Sequence, residues 1–99
     1  MSKIETSDAI VLVLHSPREK FWGVLQDINA AGVNVRGIDL NAFDDFVRSI
    51  QNDEGFYGLS TVFFPLWRVE RISKDERSGE IPSMFEQFEQ RTRLNIADF

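Results

Sequence analysis

The chain has 99 residues, which is a usual length for one domain, and 42% of them are hydrophobic, which indicates a folded protein rather than a disordered one. Its formal net charge of −5 excludes a general electrostatic attraction to nucleic acid and leaves only a local basic patch for that purpose. Cysteine is absent and histidine occurs once, so disulfides, thiolate metal sites and paired-histidine metal sites are excluded within one chain. We therefore predict a single domain over residues 1–99.

The amino-terminal stretch carries no targeting signal that we recognise. Acidic residues precede its apolar run and no small-residue cleavage pattern follows it, so a signal peptide is not predicted. The apolar run from Ala9 to Leu14 has the length of a strand and falls far short of the roughly 20 residues that cross a bilayer. We expect a soluble protein with no membrane contact, and the cytoplasm is its default compartment.

The first half of the chain predicts three strands. Residues 9–15, AIVLVLH, are apolar on both faces, which is typical of a strand covered on both sides. A reversal at Ser16 and Pro17 leads to a second strand over residues 20–29, KFWGVLQDIN. Gly23 within that strand indicates a bend, a bulge or a close approach of another backbone segment. The third strand is predicted over residues 32–40.

A tight turn is predicted between the second and third strands. The Asn29 side chain can bond the backbone ahead of it, and Gly32 can adopt positive φ. This turn makes the two strands antiparallel neighbours.

Helical periodicity appears next, over residues 41–50. The apolar residues of this segment recur at the spacing of one helix face: Phe43, Phe46, Val47 and Ile50. Asn41 can cap the helix, and Asp44 and Asp45 lie at its positive end. We predict a short helix here that covers one face of the sheet.

Two more strands and a final helix complete the predicted fold. Residues 60–64 form the fourth strand, which Pro65 ends, and one tight turn over residues 66–68 precedes a fifth strand over 69–73. After a charged connection that we expect to be solvated, Ser83 and Glu86 form a capping box. The helix that follows is predicted over about residues 84–94, within a carboxy-terminal segment that begins at residue 82.

This order of elements resembles the SH3-like small β-barrels and, among them, the Sm-like family that includes LSm proteins and bacterial Hfq. The resemblance covers residues 9–73, and its best match is FWGVL, where Gly23 stands as the family places a glycine in a strongly bent strand. It implies a mainly β, five-stranded barrel and an RNA-binding ring. The Asp and Asn that help hold RNA bases in the family have no clean match at Asn29 to Asn34, and FFPLWRV lacks the glycine of the second motif.

Aromatic residues are the main candidates for an interaction surface. Large aromatics in a small barrel fill the core or an interface more often than they stack on bases, and the acidic net charge favours the same interpretation. The aromatic residues weighed in this way are Trp22, Phe56, Tyr57, Phe63, Phe64 and Trp67. The candidate interaction surface comprises Phe56, Tyr57, Phe63, Trp67 and Arg68.

The polar residues do not indicate catalytic chemistry. His15 is interpreted as an ordinary residue at a strand end, because the sequence offers no partner that would make it a general base. Asp39, Asp44 and Asp45 lack the spacing of a calcium loop and are better explained by helix capping and solvation. The basic residues Arg68, Arg71, Lys74 and Arg77 are interleaved with acids, which favours salt bridges over a phosphate-binding patch.

Two functional hypotheses follow. The first is a non-enzymatic interaction protein that forms a homo-oligomer or binds a protein partner through strand edges and exposed aromatics. The alternative is an Sm-like RNA-binding ring, which the acidic charge and the incomplete motif disfavour. An enzyme is not expected, and neither are catalytic residues, a cofactor or a metal, because no nucleophile–base pair or phosphate-binding glycine loop occurs.

Overall fold

The computed structural model describes residues 3–53 and 58–99. Its strands are β1 (Ala9–Leu14), β2 (Glu19–Asn29), β3 (Gly32–Asp39), β4 (Ser60–Pro65) and β5 (Val69–Lys74). Its helices are α1 (Phe43–Gln51) and α2 (Met84–Thr92), and short 3-10 turns occupy Leu40–Ala42, Leu66–Arg68 and Ile96–Asp98. The strands form one antiparallel sheet in the order β4-β3-β2-β1-β5, so the predicted mainly β fold with an inserted helix and a carboxy-terminal helix is confirmed.

The sheet carries an apolar layer on each face because side chains alternate along its strands. The inner layer contains Ile10, Leu12, Leu14, Phe21, Leu25, Val33, Val35 and Phe64. The outer layer, to which both helices contribute, contains Trp22, Phe43, Phe46, Val47, Leu59, Phe88 and Ile96. Val11 packs against this outer layer, so the prediction that β1 is covered on its second face is confirmed.

Strong curvature brings the two edges of the sheet towards each other. In the described chain β4 pairs with β3 and β5 pairs with β1, while no pairing joins β4 to β5. The turn Leu66–Arg68 nevertheless connects them with three residues, which span only about 6 Å as a 3-10 turn. Leu66 also donates its backbone N–H to the Ala31 carbonyl at 3.0 Å. The predicted barrel is therefore a curled sheet that hydrogen bonds do not close.

A pair of glycines allows β2 and β3 to approach closely. Gly23 lies opposite Gly37 in the register of the two strands. A Cβ atom on Gly23 would stand 2.4 Å from the Arg36 carbonyl oxygen, and one on Gly37 would stand 2.0 Å from the Trp22 carbonyl oxygen. The close backbone approach predicted at Gly23 is confirmed, and an irregularity in the register between Leu25 and Asp27 adds a bulge to the same strand.

The turn between β2 and β3 forms as predicted, but its glycine is needed for lack of space and not for its backbone conformation. The Asn29 Oδ1 atom accepts a hydrogen bond from the Ala31 backbone N–H at 2.8 Å. The prediction of positive φ at Gly32 is wrong, since its φ lies outside the left-handed region. The residue is required because a Cβ atom there would stand 2.2 Å from the Phe64 carbonyl oxygen and 2.6 Å from the Phe63 ring.

Both helices begin or end slightly away from their predicted limits. The assignment of Asn41 as the cap of the first helix is wrong, because a 3-10 turn precedes α1 and the Asp39 Oδ1 atom accepts from the Asn41 N–H at 2.8 Å. Asp44 and Asp45 do lie in the first turn of α1. Helix α2 ends at Thr92 rather than near residue 94, because Arg93 adopts the left-handed conformation with φ of 63°.

Candidate interaction edge

Strand β4 forms one edge of the sheet and carries no charge. The sequence from Gly58 to Trp67 contains no charged residue. Val62 and Phe64 point to the inner layer, whereas Phe63 lies opposite Asn34 on the outer face and is 48% exposed. An edge strand presents unpaired backbone N–H and C=O groups, and natural proteins usually protect such edges with charged side chains or proline. Here only Pro65, at the end of β4, has that effect.

Exposed apolar side chains continue from β4 into the turn that follows it. Leu66 is 44% exposed and Trp67 is 63% exposed. The Trp67 indole stands edge-on to the His15 imidazole, with 6.3 Å between ring centroids. We call Phe63, Leu66 and Trp67 the apolar strip. It places aromatic side chains, which are enriched at protein interfaces, beside a strand edge whose outward N–H and C=O groups can form hydrogen bonds.

Arg68 holds the turn of the apolar strip against the turn between β1 and β2. Its Nε atom donates to the His15 carbonyl at 3.1 Å, and its Nη2 atom donates to the Pro17 carbonyl at 2.7 Å. The same Nη2 atom is 3.3 Å from Glu19 Oε1, and the guanidinium lies 5.9 Å from the centroid of the Phe64 ring. Since its side chain is only 15% exposed, Arg68 fixes the turn that presents Trp67 and offers little surface of its own.

The opposite edge of the sheet, β5, is charged. Glu70 and Arg71 are exposed on this strand. Glu70 lies 3.7 Å from Arg18, which belongs to the turn between β1 and β2, and the Lys74 ammonium lies 3.7 Å from Asp8. Ion pairs also engage Arg68 and Arg77, the latter with Glu86 at 2.9 Å. Three of the four basic residues interpreted as members of salt bridges, Arg68, Lys74 and Arg77, therefore form them. The two edges of the sheet are chemically different.

A carboxylate that the sequence analysis assigned to solvent connects the sheet to α2. Asp75 Oδ2 accepts hydrogen bonds from the Trp22 indole N–H at 3.0 Å and from the Phe85 backbone N–H at 2.9 Å. Its Oδ1 atom accepts from the Met84 N–H at 2.9 Å. A carboxylate at a helix N-terminus is favourable, but nothing in the spacing of residues 75 and 84 indicates that the chain folds back to bring them together.

The predicted capping box of α2 is present. Ser83 Oγ accepts from the Glu86 N–H at 3.0 Å, and Glu86 Oε1 accepts from the Ser83 N–H at 3.0 Å. The hydrogen bond from the Ser83 backbone, followed by that from Arg77, lowers the pKa of Glu86 below its ordinary value. Helix α2 is further tied to α1 by an ion pair between Arg91 and Asp44 at 2.8 Å.

The other residues that the sequence singled out do not form a site within the described part of the chain. Trp22 is fully buried in the outer layer, and His15 lies in the turn after β1 with its Nδ1 atom 3.1 Å from Ser16 Oγ. Phe56 and Tyr57 fall outside the described residues. Within residues 3–53 and 58–99, no cluster of His, Cys, Asp and Glu has the arrangement of a metal site.

A cleft of about 410 Å³ opens between the outer face of the sheet and the carboxy-terminal segment. Arg36, Phe85, Ile96 and Phe99 are among its lining residues. The Arg36 Nε atom donates to the Phe99 carbonyl at 3.0 Å, and its Nη1 atom is 3.3 Å from Thr61 Oγ1. In this arrangement Arg36 joins β3 to the segment that follows α2.

Comparison with known proteins adds no identification. No family model, no curated protein and no solved structure matches the chain. Among the residues that the structure describes, no helix combines the length and the apolar character that spanning a bilayer requires. The function must therefore be argued from the geometry of the sheet and its edges.

Proposed function

We propose that this protein is a non-enzymatic interaction protein that assembles with copies of itself by pairing strand edges. The observation that carries the proposal is the uncharged edge of β4 beside the apolar strip. Pairing with another strand would give hydrogen-bond partners to the outward backbone groups of β4 and would cover Phe63 in the same step. No other surface of the described chain joins an open strand edge to so many exposed apolar side chains.

The energetics require backbone pairing and side-chain burial together. Association costs at least about 4 kcal/mol of translational and rotational free energy. Each hydrogen bond formed at the edge contributes about 0.5–1.5 kcal/mol, and complete burial of a phenylalanine side chain about 1.5–3 kcal/mol relative to full exposure. Because Phe63 is already half-buried, its share is smaller, and several edge hydrogen bonds must form as well.

Sedimentation equilibrium across a concentration series tests this function. We expect the unmodified chain to associate and the Phe63→Lys variant to remain a monomer, because the new ammonium would lose water on pairing. Ile81→Lys is the matched control, since Ile81 is 68% exposed and lies in the connection between β5 and α2, outside both edge strands. Identical masses for the unmodified chain and both variants would contradict the proposal.

An RNA-binding ring is the second candidate. It is supported by the order of the elements, with a three-residue turn between β4 and β5, and by Gly23 at the position that the Sm-like resemblance expects. Such a ring would retain short single-stranded RNA at low salt and release it as salt rises. The absence of retention at low salt would remove this candidate and leave the proposed self-assembly unaffected.

A further inference from the structure

The geometry points to a specific mode of assembly: β4 pairs with β4 of a second copy about a two-fold axis. The resulting dimer would contain one continuous sheet made of two five-stranded halves joined at their β4 edges. This inference rests on the proposed function, because it names which edges meet. It differs from a pairing of β4 with β5, which is heterologous and leads to rings or filaments rather than to a closed dimer.

Charge distinguishes the two edges. Charged side chains on an edge strand disfavour its pairing with another strand, and β5 carries Glu70 and Arg71 as exposed residues. Arg18 adds a further charge beside them through its contact with Glu70. Pairing β4 with β5 would place these charges beside the apolar strip and remove water from them. Pairing β4 with itself brings only uncharged side chains together.

The alternation of side chains also suits a two-fold axis. In an antiparallel pair, directly opposed residues share a face of the sheet. If the axis passes at Val62 or at Phe63, every inner residue of one β4 lies opposite an inner residue of the other. Val62 and Phe64 would then extend the inner apolar layer from one copy into the next. On the outer face, Phe63 would meet Thr61 of the other copy if the axis is at Val62, and its own counterpart if the axis is at Phe63.

The absence of cysteine allows a direct test by disulfide trapping. Single substitutions Thr61→Cys, Val62→Cys and Phe63→Cys place one thiol on β4, in chains that otherwise contain none. Only a residue at a two-fold axis meets its own copy at the Cα separation of roughly 4.4–6.8 Å that a disulfide needs. We expect one of these variants to form covalent dimers under mild oxidation.

Two controls define the expected size of the effect. Ile81→Cys and Arg71→Cys place a thiol on an exposed position away from β4 and on the charged edge, respectively. A thiol held at the interface faces an effective concentration of about 1 mM, so at about 10 μM protein it should link about 100-fold faster than either control. Far-ultraviolet circular dichroism of each reduced variant verifies that the sheet is retained.

The outcomes separate this inference from the proposed function. Self-linked dimers at a β4 position support both. An assembly that shows no self-linking at the three β4 positions, but forms covalent ladders when Phe63→Cys and Arg71→Cys are combined, overturns the two-fold pairing and retains strand-edge assembly. Assembly without linking in any of these variants overturns the two-fold pairing as well. A monomer at all concentrations overturns both.

Discussion

At the residue scale, Gly37 leaves no room for a side chain beside the Trp22 carbonyl. We predict that Gly37→Ala lowers the free energy of unfolding by about 3 kcal/mol, because the added Cβ would stand 2.0 Å from that oxygen and the strands would have to separate. Gly58→Ala is the control, since a Cβ atom there has open space and should change stability by less than about 0.5 kcal/mol. Urea unfolding at a fixed protein concentration measures both, and equal effects would contradict the account.

The second prediction at this scale concerns Asp75. Asp75→Ala should lower the free energy of unfolding by about 2–4 kcal/mol, because it removes a helix cap and leaves the Trp22 indole N–H without its acceptor. Glu76→Ala is the matched control, since this neighbouring carboxylate is exposed. Thermal or urea unfolding provides the measurement, and a small, equal loss in both variants would show that Asp75 does not anchor α2.

Gly23, which lies opposite Gly37, and Asp75 mark what the sequence could and could not predict. A glycine inside a strand indicates a bend, a bulge or a close approach by its chemistry alone, and Gly23 was predicted on that basis. Asp75 lies in a run of charged residues that resembles any solvated loop. Its role depends on the chain folding back so that the start of α2 meets Trp22, and local patterns contain no information on such a distant contact.

At the scale of single elements, the capping box of α2 should make stability depend on acid pH. The backbone of Ser83, and then Arg77, lower the pKa of Glu86 in the folded protein. A carboxylate whose folded pKa lies below its unfolded value stabilises the fold at pH above the unfolded value, and this contribution is lost as pH falls through the folded value. The neutral Glu86→Gln variant lacks this contribution.

The prediction therefore concerns the difference in free energy of unfolding between the unmodified chain and Glu86→Gln as a function of pH. At neutral pH the unmodified chain should have the larger free energy of unfolding, and the difference from Glu86→Gln should shrink as pH falls through the acid range below the ordinary pKa of glutamate. Urea unfolding of both proteins over a pH series provides the measurement. A difference that stays constant with pH would mean that the charge of Glu86 does not contribute to the stability of α2.

The limits of the elements were predictable where a local signal fixes them. Ser83 and Glu86 define the start of α2, and Pro65 defines the end of β4, because the chemistry of these residues acts within a few positions. The start of α1 was placed wrongly because Asn41 and Asp39 can both cap a helical turn. The side chain that performs the capping depends on where β3 ends, and that limit is set by its pairing with β2.

At the scale of the whole molecule, the number of strands followed from hydrophobic periodicity and turn residues. Whether the barrel closes could not be predicted from these local patterns. Whether β4 and β5 pair depends on the accumulated twist of five strands, which no single segment determines. The open result leaves two edges, and the difference between them is visible in the sequence as the uncharged run from Gly58 to Trp67 and the charged residues Glu70 and Arg71.

Amide hydrogen exchange as a function of protein concentration tests the central claim most directly, because pairing at an edge protects the outward backbone N–H groups of that strand. We predict that the outward amides between Thr61 and Phe64, which belong to every second residue, become more protected as concentration rises, whereas those from Glu70 to Ser73 change little. Exchange at β4 that is the same at every concentration would contradict the claim that this edge is where the protein assembles.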